Sequence, residues 1–224
     1  MSDLVSRPEE YLIEYDASST GIGLRIFSLD KKGAEKLTFV MGFDTDFDLK
    51  GNSKYQNTME FTAVVMGMTL LASEGISHAG VRLRGDSTTS LVWATEESFK
   101  AGPSENAAAA FLVIGKASQN FVECGDHLAG VKNTKCDKLS RGKIPEELGY
   151  NTRLIRHLED IPAMVSILRL CNPTVRHITE EDIGTHWREL LVVANGCEQF
   201  YSFVIVLASC CVGRRTLDSR QCIQ

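Results

Sequence analysis

The chain has 224 residues, of which 43% are hydrophobic and 24% charged, with a net charge of −5 at pH 7. That length accommodates one full domain of about 150 residues plus an extension, and the negative balance argues against a generally basic nucleic-acid binder while leaving room for a local site. Seven cysteines, an odd number with no CxxC pair among them, fit free thiols in a reducing compartment better than a disulfide framework. The opening "MSDLVSRPEEYLIEY" has no basic stretch followed by an apolar one, so an intracellular location, cytoplasmic or nuclear and not secreted, is expected, with no membrane partner.

In chain order, "YLIEYDAS" (11–18), "GIGLRIFSL" (21–29) and "KLTFVMGF" (36–43) alternate as short strands joined by tight turns, which predicts an antiparallel meander. After a polar loop, "TMEFTAVVMGMTLLASEG" (58–75) predicts a long helix stopped at Gly75. It is apolar nearly all round, so burial on most faces is expected. "AGVRLRGDS" (79–87) reads as a strand ending at an aspartate. "TTSLVWATEESF" (88–99) and "ENAAAAFLVIGKAS" (105–118) read as helices, "NFVECGDHL" (120–128) as a last strand, and "NTKCDKLSR" as the first turns of a further helix. The order βββαβααβα implies a mixed sheet with helices on its faces, because parallel strands need crossover connections.

The character changes after Arg141. Residues 8–142 form the expected first domain, 143–152 a linker, and 153–224 a helical extension. "RLIRHLEDIPAMVSILRL" and "TEEDIGTHWRELLVVANG" are its predicted helices, the second with Thr179 and Asp182 at its start and Gly196 as its stop. Cys171, His177, His186 and Cys197 have zinc-ligand identities without zinc-site spacing. The run "FYSFVIVLASCCVG" (200–213) is too short to span a bilayer comfortably.

Four carboxylates stand at informative places in this order. Asp16 lies in the first strand, Glu60 in the first turn of the apolar helix, Asp86 at the end of the fourth strand, and Asp137 in the helix after the last strand. Open α/β sheets place their sites at the carboxyl ends of strands, where Asp86 falls. An acid inside "TMEFTAVVMGMTLL" is costly to bury without a partner, and no lysine or arginine lies within a helical turn of Glu60. Two carboxylates about 4 Å apart repel by roughly 4 kcal/mol at an effective dielectric near 20, so four converging acids require divalent cations between them. Oxygen ligands favour Mg²⁺ or Mn²⁺ over zinc, and a pair of such ions is the arrangement that clamps the oxygens in phosphoryl transfer.

The acids in "DASSTGIG", "NTMEFTAV" and "RGDSTTS", together with "HLAGVKNTKCDKLSR", resemble type 1 ribonuclease H. The last of these also resembles the H-x-x-G-x-x-N-x-x-x-D-x-L-S-R ending of reverse-transcribing retroelements, and the likeness covers residues 10–142. The resemblance implies a ribonuclease H-like five-stranded mixed sheet, three antiparallel strands followed by parallel additions, flanked by helices. It further implies that Asp16, Glu60, Asp86 and Asp137 hold two Mg²⁺ ions, with Mn²⁺ able to substitute, for hydrolysis of the RNA strand of RNA–DNA hybrids to 5′-phosphate and 3′-hydroxyl ends. His127, a side chain that titrates near neutrality, is then expected to assist proton transfer or product release. Ala17, Ser18, Ser19, Asn57, Ser87 and Asn133 are expected at the substrate, where 2′-hydroxyls distinguish RNA from DNA. Asn57 reads equally well as a helix cap, and Trp93 reads as packing.

Two departures from the family pattern carry expectations of their own. Only 41 positions separate Asp86 from His127, room for two helices rather than the three of bacterial relatives, and residues 99–119 hold only Lys100 and Lys116 as cations. The basic protrusion of those relatives is missing, so weak substrate binding by the isolated domain is expected, along with an attached or associated reverse transcriptase as partner. Ala17 stands where cellular enzymes usually have glycine, a change that retroelement versions tolerate. The rival reading is a catalytically weak or domesticated module of the same fold that binds nucleic acid or protein; the presence of all four acids argues against it.

Overall fold

The computed structural model describes residues 10–47, 49, 53–99 and 102–174. The helix expected over 179–196, the apolar run 200–213, and His177, His186 and Cys197 lie outside these residues.

Three strands come first: β1 (Glu10–Ala17), β2 (Gly21–Leu29) and β3 (Glu35–Asp44), each antiparallel to the one before. Short polar side chains make their turns by standing in for backbone partners. Ser18 Oγ accepts the N–H groups of Thr20 and Gly21, and Asp30 Oδ1 accepts those of Lys32 and Ala34. β4 (Gly80–Gly85) then joins β1 in parallel and β5 (Phe121–His127) joins β4 in parallel, giving the sheet order β3-β2-β1-β4-β5. Helix α1 (Gln56–Ser73) makes the first crossover; α2 (Thr88–Glu96) and α3 (Glu105–Ser118) make the second; α4 (Thr134–Ser140) follows β5. This is the ribonuclease H-like mixed sheet expected from the sequence, with β1 in its centre.

Strand alternation divides β1 between two layers. Tyr11, Ile13 and Tyr15 join the large core with α1, and Leu12, Glu14 and Asp16 point to the opposite face. Helix α1 is buried from Thr58 to Leu71, which explains why its sequence is apolar all round: the sheet, α2, α3 and a later helix all lie against it. Gly67 lets it approach so closely that a Cβ there would stand 2.8 Å from Ile13 Cγ2. Trp93 packs edge-on against Phe61 at 5.6 Å between ring centroids, the packing role expected of it.

Helix α4 covers the other face, lying on β1, β2 and β3. The approach depends on Gly23, whose added Cβ would meet Cys136 O at 2.3 Å and Ser140 N at 2.8 Å. These are backbone atoms with no rotamer to yield, so Gly23→Ala is expected to destabilise the protein by about 3 kcal/mol. Urea denaturation checks this, and a midpoint within experimental error of wild type would refute the packing role.

Past α4 the chain stays on the body. Ile155 forms a parallel bridge with Val40, Arg156 N–H donates to Val40 O at 2.9 Å, and α5 (Pro162–Leu170) buries Met164 and Ile167 in the core with α1. The single helix expected over 153–170 is therefore broken into 3-10 turns at Thr152–Leu154 and Leu158–Asp160 followed by α5. Pro162 is the cause. It starts a helix well at its first position, but it drives the residue before it, Ile161, out of the helical region to φ −124°, ψ 85°. No helix among the described residues is long and apolar enough to cross a membrane.

Candidate metal centre

Three elements end or begin at one edge of the sheet: β1 at Ala17, β4 at Gly85, and α1 at Gln56. Their acids meet there. Asp16, Glu60 and Asp86 each offer a carboxylate oxygen, all within 4.8 Å of one another. Asp16 and Glu60 are only 6% and 4% exposed, so water does little to screen them.

The same strand supplies an internal comparison. Glu14 lies two residues before Asp16 on the same face and is also buried, and its carboxylate is held by two guanidiniums, Arg25 Nη1 at 2.6 Å and Arg84 Nη1 at 3.0 Å. Buried carboxylates ordinarily need such partners. Asp16 forms no ion pair with an arginine or lysine among the described residues, and its charged neighbours include Glu60 and Asp86.

Hydroxyls and amides hold the acids in place instead. Ser140 Oγ, from the last residue of α4, donates to Asp16 Oδ2 at 2.5 Å. Asn133 Nδ2 donates to Tyr15 O at 2.8 Å and lies 3.5 Å from Asp16 Oδ1. Gln56 Nε2 reaches both Ala17 O (2.7 Å) and Glu60 Oε1 (2.9 Å), and Ala17 N–H points at the same oxygen (3.4 Å). Beneath Asp86, Tyr15 OH shares a 2.7 Å hydrogen bond with Ser90 Oγ, and Ser87 Oγ caps α2 by accepting Ser90 N–H. Sequence reasoning missed Ser140, Gln56 and Tyr15. Gln56 was within reach, being four residues before Glu60 on one helix face.

The electrostatics follow from this arrangement. Burial, with the charges of Asp86 and Asp137 added, lifts the Asp16 carboxyl from 3.8 to about 6 against the pull of the Ser140 bond. Burial first, then Asp16 and Asp86, pushes Glu60 well above its ordinary range, which Gln56 and Ala17 only partly offset. Glu60 Oε2 is buried and accepts no hydrogen bond from a described residue. A buried oxygen without a described donor, on a carboxylate grouped with two more, fits a hard divalent cation, as the all-oxygen donor set also does.

The other residues expected at the site stand around this trio. Asp137 lies beside it rather than in it: its Oδ1 takes Arg141 Nε at 2.7 Å and its side chain is half exposed. His127 is exposed, with Nε2 3.1 Å from the backbone carbonyl of Asp86. A carbonyl only accepts, so in that bond it is Nε2 that donates. Asn57 is exposed in the first turn of α1 and does not cap it; the capping position is Tyr55, with no side-chain bond. Ser18 and Asn133 are buried and hydrogen-bonded internally, and Ser19 is exposed. An open cleft of about 350 Å³ beside the carboxylates is lined by Ala17, Ser18, Ser19, Gln56 and Arg141 among others.

No family model matches the chain, and no curated protein matches it. Among solved structures it is similar to ribonuclease H1 of the halophilic archaeon Halobacterium salinarum NRC-1, at 14% identity over 59% of this chain and 93% of that one, with a TM-score of 0.38. It is similar to the N-terminal RNase H domain of Rv2228c from Mycobacterium tuberculosis, solved as a fusion with maltose-binding protein (14% identity; 58% and 95% covered; TM-score 0.43). A third similar structure is LC11-RNase H1, isolated from compost by a metagenomic approach, in complex with an RNA/DNA hybrid (19% identity; 62% and 99% covered; TM-score 0.41).

Proposed function

We propose that the protein is a divalent-metal-dependent endonuclease that hydrolyses the RNA strand of RNA–DNA hybrids. One observation carries the reading: Asp16, Glu60 and Asp86 converge without a cation among the described residues to neutralise them, and Glu60 Oε2 is left without a donor. Held ionised in a core, such acids call for something positive among them. The motif resemblance then selects the chemistry.

Asp16, Glu60 and Asp86 would hold Mg²⁺ or Mn²⁺, with Asp137 released from Arg141 to complete the set for a second ion. Such ions supply Lewis acidity and charge neutralisation for phosphodiester hydrolysis. The chain's own residues do the rest. Ser140 and Gln56 fix the directions in which Asp16 and Glu60 present their oxygens, since a carboxylate free to rotate would lose much of its value as a ligand. Ser19 and Asn57, both exposed, one just past β1 and the other in the first turn of α1, would meet the RNA strand together with the backbone of Ala17 and Ser18. His127 moves a proton at Nδ1 while its Nε2–H stays on the Asp86 carbonyl. Association with a reverse transcriptase remains part of the proposal on the strength of the C-terminal motif.

The test is cleavage of a hybrid labelled on its RNA strand, with Mg²⁺ or Mn²⁺ and with EDTA. The expected result is metal-dependent cutting to 5′-phosphate and 3′-hydroxyl ends, with duplex DNA untouched. A chain that binds the hybrid but leaves it whole, with Mn²⁺ at low salt, is a binding module and not a nuclease.

A further inference from the structure

Five of the chain's 24 lysines and arginines fall within twelve positions: Lys132, Lys135, Lys138, Arg141 and Lys143. The only acid among them is Asp137, so residues 132–143 carry a formal +4 (five less one) in a chain whose total is −5. The fold sorts them by face. Cys136, Leu139 and Ser140 are buried against the sheet, whereas all five cations are exposed. Little is asked of them there. Among the described residues neither Lys132 nor Lys138 forms an ion pair, Arg141 pairs with Asp137, Lys143 reaches Glu147 at 3.8 Å, and Lys135 lies over the Tyr150 ring.

Stability does not explain the cluster, because exposed pairs of this kind contribute at most about 1 kcal/mol each. Nor does neutralisation of the metal centre: of the five, only Arg141 is among the main influences on the Asp16 carboxyl, behind burial, the Ser140 bond, Asp86 and Asp137, and none is among those on Glu60. The placement is what marks the surface. Helix α4 is bolted to β1 by Ser140 Oγ on Asp16, by Ser18 Oγ donating to Ser140 O at 2.6 Å, and by Asn133 on Tyr15 O. Arg141 lines the cleft beside the carboxylates together with Ser18, Ser19 and Gln56. The basic face therefore begins where the cleft ends and stands at a fixed offset from the acids. Lys135, Lys138 and Arg141 follow one another at three-residue intervals, each about 4.5 Å further along the helix axis.

We propose that the exposed side of α4 and its two flanks, carrying Lys132, Lys135, Lys138 and Arg141, is the surface on which this chain holds the sugar–phosphate backbone of its substrate. The inference rests on the nuclease reading and adds to it where affinity comes from. The occupant is a polyanionic strand flanking the cut, gripped through charge and without regard to base sequence. This face supplies the positive surface that residues 99–119, with Lys100 and Lys116 alone, do not.

The experiment measures binding of a fluorescent RNA–DNA hybrid to the full chain by anisotropy, with Ca²⁺ as the divalent ion and a gel confirming that the hybrid stays whole, across 50–200 mM salt. Two triple variants are compared. One is Lys132→Gln/Lys135→Gln/Lys138→Gln; the other, Lys31→Gln/Lys32→Gln/Lys36→Gln, makes the same charge change at the exposed β2–β3 hairpin tip. The α4 variant is expected to weaken binding on the order of tenfold at 50 mM salt and to flatten the plot of log affinity against log salt by about 2, with Tm unchanged. The hairpin variant is expected to match wild type. Equal effects from both variants would reduce the surface to overall charge, and an unchanged slope for the α4 variant would remove it. Either result overturns the inference while leaving cleavage by the wild-type chain, and so the nuclease reading, intact. A wild-type chain that neither binds nor cuts the hybrid brings down both.

Discussion

Asp86→Asn is expected to lower the rate of hybrid cleavage on the order of a thousandfold while leaving the fold unchanged. Of the three clustered acids, Asp86 suits the test best, because its carboxylate accepts no hydrogen bond from a described residue and is only half buried. Asparagine keeps its shape and removes one negative charge, so little packing is disturbed. What is lost is a ligand. Removing several kcal/mol of charge stabilisation from a transition state corresponds to a loss of about three powers of ten. Single-turnover cleavage measures the rate, and isothermal titration with Mn²⁺ measures the ion. A variant that keeps more than a tenth of the wild-type rate would mean that the acidic cluster is not the reaction centre.

Glu60→Gln is expected to stabilise the metal-free protein, the reverse of the usual outcome in a core. In wild type the Asp16 carboxyl sits near 6 in the folded state against 3.8 as its ordinary value, and Glu60 is displaced in the same direction. A folded-state value above the unfolded one means that the protonated site favours folding. That contribution is fully present below about pH 4 and is lost as pH rises through 6. For Asp16 the change amounts to about 3 kcal/mol, and the two acids are coupled, so their contributions do not simply add. Glutamine keeps the oxygen that Gln56 and Ala17 N–H engage, removes one of three clustered negative charges, and turns the orphaned Oε2 into an N–H donor. In EDTA at pH 8 its Tm is expected to exceed that of wild type by roughly 5 °C or more, at about 2–4 °C per kcal/mol for a domain of this size. The gap is expected to close towards pH 4, and Mg²⁺ is expected to raise the Tm of wild type alone. A gap that does not shrink on acidification would mean that carboxylate repulsion is not its source.

How much of this could be read from the residues varies along the chain. The meander, α1 and the two crossovers were legible because alternation, polar turns and a long apolar stretch are local signals, and each expected element formed within a few residues of its place. The break in 153–170 was missed although Pro162 announces it, because an otherwise helical pattern outweighed one local veto. The places of Asp16, Glu60 and Asp86 were legible as ends of strands and the start of a helix. The way they are held was not. Ser140 looks like any small residue near the end of a helix until α4 lies on β1, and Asn133 points into the fold rather than outward because Tyr15 O lies beneath it. Such roles belong to pairs of residues more than a hundred positions apart, and no window along the chain contains both partners.

That separation has a consequence for the order in which the acidic cluster is assembled. The bond from Ser140 to Asp16 spans 124 residues, while β1, β2 and β3 pair with immediate neighbours. Long closures are slow and come late in folding, and a chain emerging from the ribosome builds its N-terminal elements first. A nascent chain ending before α4 carries three of the acids on a sheet whose second face is bare, with Asp16 free to turn. The acidic cluster thus takes its final geometry only once α4 has been made, and a chain that stalls short of residue 140 carries its acids without the hydroxyl that fixes Asp16.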